Sequence, residues 1–185
     1  MKRLWLFSLY RYRTDPVATC VRHLKSFPDQ PMIDELLIQK KIMIEHWTLG
    51  LIKLFQCSDI IIIPTPIHRS RFIDRGYNQA DIIAIAYEKV ITEKMKRLNI
   101  PVRIETNLII KSRKTDKQAL ITDRNIRKQN IKNAFEIKKG ADASHLRQSL
   151  IIIIDDVTTT GGTLDEIKLL LEPYANAVFA FTLAH

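Results

Sequence analysis

The chain reads as an α/β fold with a mostly parallel, twisted sheet flanked by helices. Three observations predict it. Two runs of four isoleucines, Ile60–Ile63 and Ile151–Ile154, do not alternate with polar residues. Strands buried on both faces read this way. Stretches of helical spacing lie between the apolar runs, the pattern of strands joined by crossover helices. The third observation is size. A chain of 185 residues, 46% hydrophobic, builds one full core and not two.

The elements follow in order. Leu9–Tyr12 is a short strand and Val17–Lys25 a short helix, so residues 1–31 are expected to form a small N-terminal hood or an edge hairpin. Residues 32–185 form the main domain, in one compact unit overall. Met32–Phe55 carries apolar and charged residues over several helical turns. Ile60–Ile63 is a central strand closed by Pro64. Gln79–Leu98 sets Ile82, Ile83, Ala86 and Val90 at helical spacing. Val102–Ile110 is a third strand, and Thr122–Lys132 a charged helix. Ile151–Ile154 is the second central strand. Thr163–Leu171 is a helix with Pro173 just past its end, and Ala177–Leu183 is the last strand.

The formal charge is +9, and it is concentrated. Arg103–Lys139 holds eleven Lys/Arg against four acids. Such a block suits an anionic partner, polyphosphate or nucleic acid. A solvated helix face with a cationic bias reads the same way. Cys20 and Cys57 lie far apart without metal-ligand spacing, so reduced thiols are expected rather than a disulfide or a zinc site. The N-terminus opens like a signal peptide, but Tyr10 and Arg11 break its apolar run. No stretch approaches the roughly 18 apolar residues of a membrane span, so a soluble, cytoplasmic protein is expected.

Residues 151–163 carry the chemistry. A buried strand ends at Asp155-Asp156, a turn Val157-Thr158-Thr159-Thr160-Gly161-Gly162 follows, and a helix begins near Thr163. Ligands of open α/β sheets bind at the carboxyl ends of strands. A helix N-terminus offers free N–H groups to a phosphate. Gly161 and Gly162 let the backbone come close to an anion. Thr159, Thr160 and Thr163 add hydroxyls, and the two carboxylates accept from vicinal sugar hydroxyls. Phosphate on the loop and diol on the acids describe a ribose 5-phosphate. The alternative is a strand–turn–helix corner in which Asp and Thr merely cap.

This segment resembles the phosphoribosyl pyrophosphate (PRPP) signature of type I phosphoribosyltransferases: four apolar residues, two acids, then a Thr/Ser–Gly loop. Thr158 stands where an aliphatic residue is usual. Other stretches resemble the ComF family of that fold. They are Pro64-Thr65-Pro66-Ile67-His68, with Arg69 and Arg71 after it, and Arg75-Gly76-Tyr77-Asn78-Gln79. Arg113-x-Thr115-x-x-Gln118, Arg127-x-x-Asn130, Asn133-Ala134-Phe135 and Thr182-Leu183-Ala184 continue the series. The resemblance spans almost the whole chain. Many ComF-like proteins carry a four-cysteine zinc ribbon at the N-terminus. This sequence lacks it, so no zinc is expected.

The resemblance implies roles. Asp155 and Asp156 would be catalytic and would lie near Mg2+, mostly through water. Thr158, Thr159, Thr160, Gly161, Gly162 and Thr163 would bind the phosphate of PRPP. A second anion loop for the pyrophosphate would use Thr65, Pro66, His68, Arg69, Arg71, Arg75, Asn78 and Gln79. A basic loop running from Lys111 through Arg113, Lys114, Lys117 and Gln118 would close over the polyphosphate. Asn78 also reads as a plain helix cap.

ComF resemblance further implies a part in DNA uptake during natural transformation. Single-stranded DNA and a competence helicase are the expected partners, with contact to the inner membrane only through them. An oligomer is compatible with this reading. Three functions stay open: a phosphoribosyltransferase of unknown acceptor, a non-catalytic PRPP-sensing or single-stranded-DNA-binding module, and a nucleobase phosphoribosyltransferase of salvage. Phe135 is the only aromatic in the basic stretch, so DNA contact there would be driven by phosphate and sensitive to salt.

Overall fold

The computed structural model describes residues 4–12, 17–113 and 132–185. Five strands form one parallel sheet: β1 (Leu6–Tyr10), β2 (Asp59–Pro64), β3 (Val102–Ile104), β6 (Ser149–Val157) and β7 (Ala177–Ala184). Their order is β1-β7-β6-β2-β3, and every pairing is parallel. The two isoleucine runs lie side by side at the centre, with Ile61 against Ile151, Ile62 against Ile152 and Ile63 against Ile153. None of the eight is more than 1% exposed. Each contributes about 1.5–3 kcal/mol by leaving water, an upper figure because unfolded chains already bury some surface.

Alternation along the strands sorts the core into two faces. Ile60, Ile62, Leu150, Ile152, Ile154 and Phe181 pack with α2 (Gln30–Ile38), α3 (Lys41–Phe55) and α5 (Gln79–Arg97). Ile61, Ile63, Ile151, Ile153, Val178 and Ala180 pack with α6 (Gly162–Leu171), a 3-10 turn at Ser144–Leu146, and an arm. The arm is a two-stranded antiparallel ribbon of β4 (Ile109–Lys111) and β5 (Phe135–Ile137). The expected class, a mostly parallel sheet covered by helices on both faces, is what the chain adopts.

Three expectations change. The strand foreseen over Val102–Ile110 is two strands. Glu105 still donates its N–H to Ile62 at 2.9 Å, but β2 ends at Pro64 and leaves the chain little to pair with. Thr106 and Asn107 turn it away, and Ile109–Lys111 pairs with Phe135–Ile137 in the arm instead. The helix foreseen over Met32–Phe55 breaks at Gln39-Lys40 into α2 and α3. No Gly or Pro marks that break. The N-terminal strand is Leu6–Tyr10 and not Leu9–Tyr12, and it forms no hairpin. It joins the main sheet as a parallel edge, with Leu6 against Ala180 and Ser8 against Thr182. The charged helix foreseen at Thr122–Lys132 lies almost wholly outside the described residues.

Helix α1 (Val17–Leu24) settles over the carboxyl ends of β6 and β7. Its Val17 and Val21 pack with Ala184, Val157 and Tyr10. It thus stands beside the end of the sheet where ligands of such folds bind.

Candidate functional site

One polar row crosses the sheet at its carboxyl edge. Thr65 follows β2 and donates its N–H to Ile154 at 2.8 Å, which sets it beside Asp155. Asp155 is in register with Thr182, and Thr182 with Ser8. The Ser8 and Thr182 hydroxyls are hydrogen-bonded at 2.7 Å. By alternation this row faces the α6 side of the sheet, directly after the apolar row of Ile63, Ile153 and Ala180. Asp156 falls on the opposite face, where Lys25 just after α1 reaches it at 3.9 Å. The two neighbouring acids therefore address different surroundings.

Burial pushes the Asp155 carboxyl well above the usual carboxylate range. The neighbouring Asp156 carboxylate adds to this, and Lys111 works against it. The backbone spends part of each acid locally: Asp155 Oδ1 accepts from the Asp156 N–H at 3.0 Å, and Asp156 Oδ1 from the Val157 N–H at 2.7 Å. Proximity of two like charges is relieved by a cation or by hydroxyl donors, so the pair suits a ribose diol or a hydrated divalent metal. Among the described residues no group of three or more His, Cys, Asp and Glu gathers to cage a metal. A metal here would take most of its oxygens from water and ligand.

After β6, Gly161 adopts φ +70° and α6 begins at Gly162. Its N-cap residue, Gly161, has no side chain with which to cap it. A helix start of this kind turns its first N–H groups and its positive dipole end outward, as phosphate binding needs. The threonines divide. Thr158 is buried, its N–H on Ala184 and its carbonyl facing His185 Nδ1 at 3.1 Å, so it extends the strand. Thr159 is exposed, Thr160 keeps its hydroxyl enclosed, and Thr163 is half-buried in the first turn of α6.

The loop after β2 is built differently. His68 caps the short helix α4 (Arg69–Arg75), with Nδ1 accepting the Ser70 N–H at 3.2 Å. Gly76 ends it at φ +82°. Asn78 caps α5, accepting from the Ala80 N–H at 3.3 Å. The same amide donates to the Thr65 carbonyl at 3.1 Å and to Asp81 at 2.9 Å. Arg75 donates to Gln79. The buried Thr65 hydroxyl and Gln79 Nε2 have no hydrogen-bond partner within the described protein, and such groups call for one. Pro66 is half-buried beside Thr65, Arg69 is exposed, and Arg71 half-buried.

The arm carries Lys111, the first residue of the basic loop expected to close over the polyphosphate. Lys111, last in β4, is pulled down to about 8, first by burial, then by Arg71 and Arg113, with Asp155 opposing. Its Nζ stands 5.1 Å from the centre of the Phe135 ring. Arg71 from α4 and Lys111 and Arg113 from the arm thus gather opposite Asp155. Arg113 also donates to the Lys132 carbonyl at 2.8 Å. Lys114, Lys117 and Gln118 lie outside the described residues. The signal for Lys111 was available as a basic residue closing an apolar β-run, but its place across from the acids depends on the arm. A cleft of about 400 Å³ runs along α6 from Gly162 to Glu172, walled also by Trp5, Asp165, Glu166 and Lys168; its acids disfavour phosphate beyond the first turn.

Comparison with known proteins returns no matching family profile. The chain is 35% identical over 111 residues to "Competence protein F" of Haemophilus influenzae, covering 60% of this chain and 43% of that protein. It is 31% identical over 118 residues to "DNA utilization protein YhgH" of Escherichia coli K12, 63% of this chain and 45% of that one. The YhgH protein of Salmonella typhimurium is 29% identical over 161 residues, 85% and 62% respectively. The chain spans about half the length of these relatives. A hypoxanthine phosphoribosyltransferase from Staphylococcus aureus superposes with a TM-score of 0.39 at 15% identity, over 83% of this chain and 62% of that one. The homologues of this chain are thus proteins named for competence and DNA utilization, in keeping with its ComF-like motifs.

Proposed function

We propose that this chain binds PRPP, or a related ribose 5-phosphate, at the carboxyl end of β6, and serves the handling of incoming DNA. One observation carries the first part: a carboxylate pair leads through a glycine loop straight into a helix N-terminus whose cap position is Gly161. The first N–H groups of α6 and the Thr160 and Thr163 hydroxyls receive the 5-phosphate. Asp155 or Asp156 accepts the ribose hydroxyls. Arg71, Lys111 and Arg113 face the pyrophosphate, with the Thr65 hydroxyl as a further donor. Mg2+ bound with the ligand supplies charge neutralisation of the pyrophosphate, and the two aspartates are the residues to hold its waters. If pyrophosphate leaves, the carboxylates offset positive charge at the anomeric carbon. The acceptor of such a transfer is unassigned. The part in DNA uptake rests on the names of the relatives.

The test is calorimetric titration with PRPP and ribose 5-phosphate, with and without magnesium. Saturable PRPP binding that is lost in Asp155→Ala/Asp156→Ala supports the site, and unchanged binding in that variant removes it. Pyrophosphate release with a nucleobase panel then separates an enzyme from a sensor. The second reading, a single-stranded-DNA module, is favoured by the arm's basic residues. It requires an affinity that falls steeply with salt.

A further inference from the structure

The triplet Asn133-Ala134-Phe135 stands out in the sequence, and the ligand site described above leaves it without a part. The structure gives each of its residues a contact. Phe135 is opposite Lys111 in the ribbon, and the lysine's Nζ lies over its ring. Ala134 is fully buried in the core that Leu164, Ile167 and Leu171 of α6 share, and its carbonyl accepts the Ser112 N–H at 3.1 Å. Asn133 adopts φ +56°, a left-handed conformation that asparagine tolerates better than most residues. In that conformation its backbone N–H donates to Glu166 Oε2 of α6 at 3.2 Å.

The arm needs such a tie. Its register spans three residue pairs, from Ile109–Ile137 to Lys111–Phe135. A two-stranded ribbon this short is at best marginally stable by itself. Its root is held by apolar burial, with Leu108 and Ile109 at most 2% exposed. Its outer end is not, since Ser112, Arg113, Lys132 and Asn133 are all exposed. Glu166 grips that outer end, one residue past the Ser112–Ala134 bond and beside the Lys132 carbonyl that Arg113 holds. It stands about one turn into α6 from Gly162, on the same helix that opens the phosphate cradle.

Taking PRPP as the ligand of this site, we propose that Glu166 is a positioning residue: by holding the Asn133 N–H it fixes the cation-bearing arm to the phosphate-bearing helix. It thereby sets the span between the 5-phosphate cradle and the cations that face the pyrophosphate. Lys111 and Arg113 depend on this tie, whereas Arg71 comes from α4 and does not. Without the tie, the end of the arm has to be ordered as the ligand arrives, and that ordering is subtracted from affinity. Ribose 5-phosphate has no pyrophosphate and makes no demand on the arm. Glu166 thus favours PRPP over ribose 5-phosphate without touching either, although its own charge opposes a phosphate.

The experiment compares Glu166→Ala with Glu166→Gln, whose amide oxygen still accepts a hydrogen bond but carries no charge. In the ligand-free chain, amide hydrogen exchange at Ser112 and Asn133 should speed up about fivefold in Glu166→Ala and stay near the parent in Glu166→Gln, with β2 and β6 equally protected in all three. In calorimetry PRPP affinity should fall about fivefold in Glu166→Ala, with ribose 5-phosphate affinity within about twofold, and Glu166→Gln should restore PRPP binding. The pH at which PRPP affinity falls should also move up from about 8 in Glu166→Ala, as Lys111 leaves its burial and its cationic neighbours Arg71 and Arg113. Unchanged exchange at Ser112 and Asn133 in Glu166→Ala overturns the tie, whether or not PRPP binds. Tighter PRPP binding in both variants overturns it in favour of plain charge repulsion. Equal loss of both ligands in Glu166→Ala overturns it in favour of damage to α6. A parent chain that binds neither ligand sinks the PRPP reading, and this proposal with it, before any variant is made.

Discussion

Strands β2 and β6 start from the same material and end in opposite ways. Both are isoleucine ladders paired residue by residue, and both run into a turn and a helix. At β2 the turn is closed by its own side chains. His68 caps α4, Asn78 caps α5, and the Thr65 carbonyl is held by Asn78. At β6 the helix begins behind Gly161, which has no side chain to cap it, and the strand end carries a carboxyl pushed towards its neutral form. A helix start without a capping side chain at its N-cap and a buried carboxyl are costs within the isolated chain. They are removed when an anion and a diol or cation arrive. The helix starts after β2 are satisfied by the chain itself, which leaves the Thr65 hydroxyl and Gln79 Nε2 as the groups there that call for a partner; the end of β6 is where the body of a ligand belongs.

The largest expected effect breaks that contrast at its source. Asp155→Asn with Asp156→Asn keeps shape and removes both negative charges. Charge-assisted hydrogen bonds are worth about 1.5–3 kcal/mol each, so PRPP affinity should fall by about 100-fold or more in calorimetry. Thermal stability should rise slightly, because the burial and like-charge penalty on Asp155 is gone. Next is Gly161→Val. Position 161 sits at φ +70°, where a branched side chain costs about 1–2 kcal/mol. Binding of PRPP and of ribose 5-phosphate should weaken together, since both use the 5-phosphate cradle.

Lys111→Met sharpens the contrast between the two ligands. It should cost PRPP about tenfold, in line with one charge-assisted contact, and leave ribose 5-phosphate nearly unchanged. Titration gives the same residue a second signature. Lys111 is held at about 8 and is charged below that pH. PRPP affinity should therefore fall as pH rises through 8, and Lys111→Arg should flatten the fall. Stability runs the other way. The unfolded lysine keeps its proton to a higher pH than the folded one, so stability from this group rises with pH above about 8. At the acid end Asp155 is raised, so affinity that needs its carboxylate should grow as pH climbs through a range above the usual carboxylate one.

Much of this was legible in the chain itself. The isoleucine runs announced the two central strands, because only a two-sided core tolerates four such residues in a row. Asp155 through Thr163 announced the site, because acids, hydroxyls and glycines at a strand end have few structural uses together. What was hidden depended on distant partners. Leu6–Tyr10 joins β7 through contacts that no local pattern encodes. The turn at Thr106-Asn107 follows from β2 ending at Pro64, and it is that turn which swings Lys111 towards Asp155. The break at Gln39-Lys40 carries no glycine or proline, only hydrogen bonds such as that from the Lys40 N–H to Leu37 at 3.0 Å.

The capping residues after β2 should answer mutation in stability and not in affinity. Asn78→Ala removes a cap and the tie to Thr65. A lost cap costs about 1 kcal/mol, or about 2–4 °C in a domain of this size. His68→Ala should do less still. It releases one N–H at the start of α4, a seven-residue helix with no buried residue, so the loss is local fraying of a segment that holds little of the core. PRPP affinity should stay within about twofold, since the histidine's Nδ1 is occupied by Ser70. His68→Asn should restore the melting temperature by restoring the cap. A tenfold loss of PRPP affinity in His68→Ala that His68→Asn does not repair would place the imidazole on the ligand. The α4 cap would then belong to the ligand site, and the contrast between the two helix starts would fail at its most conspicuous histidine.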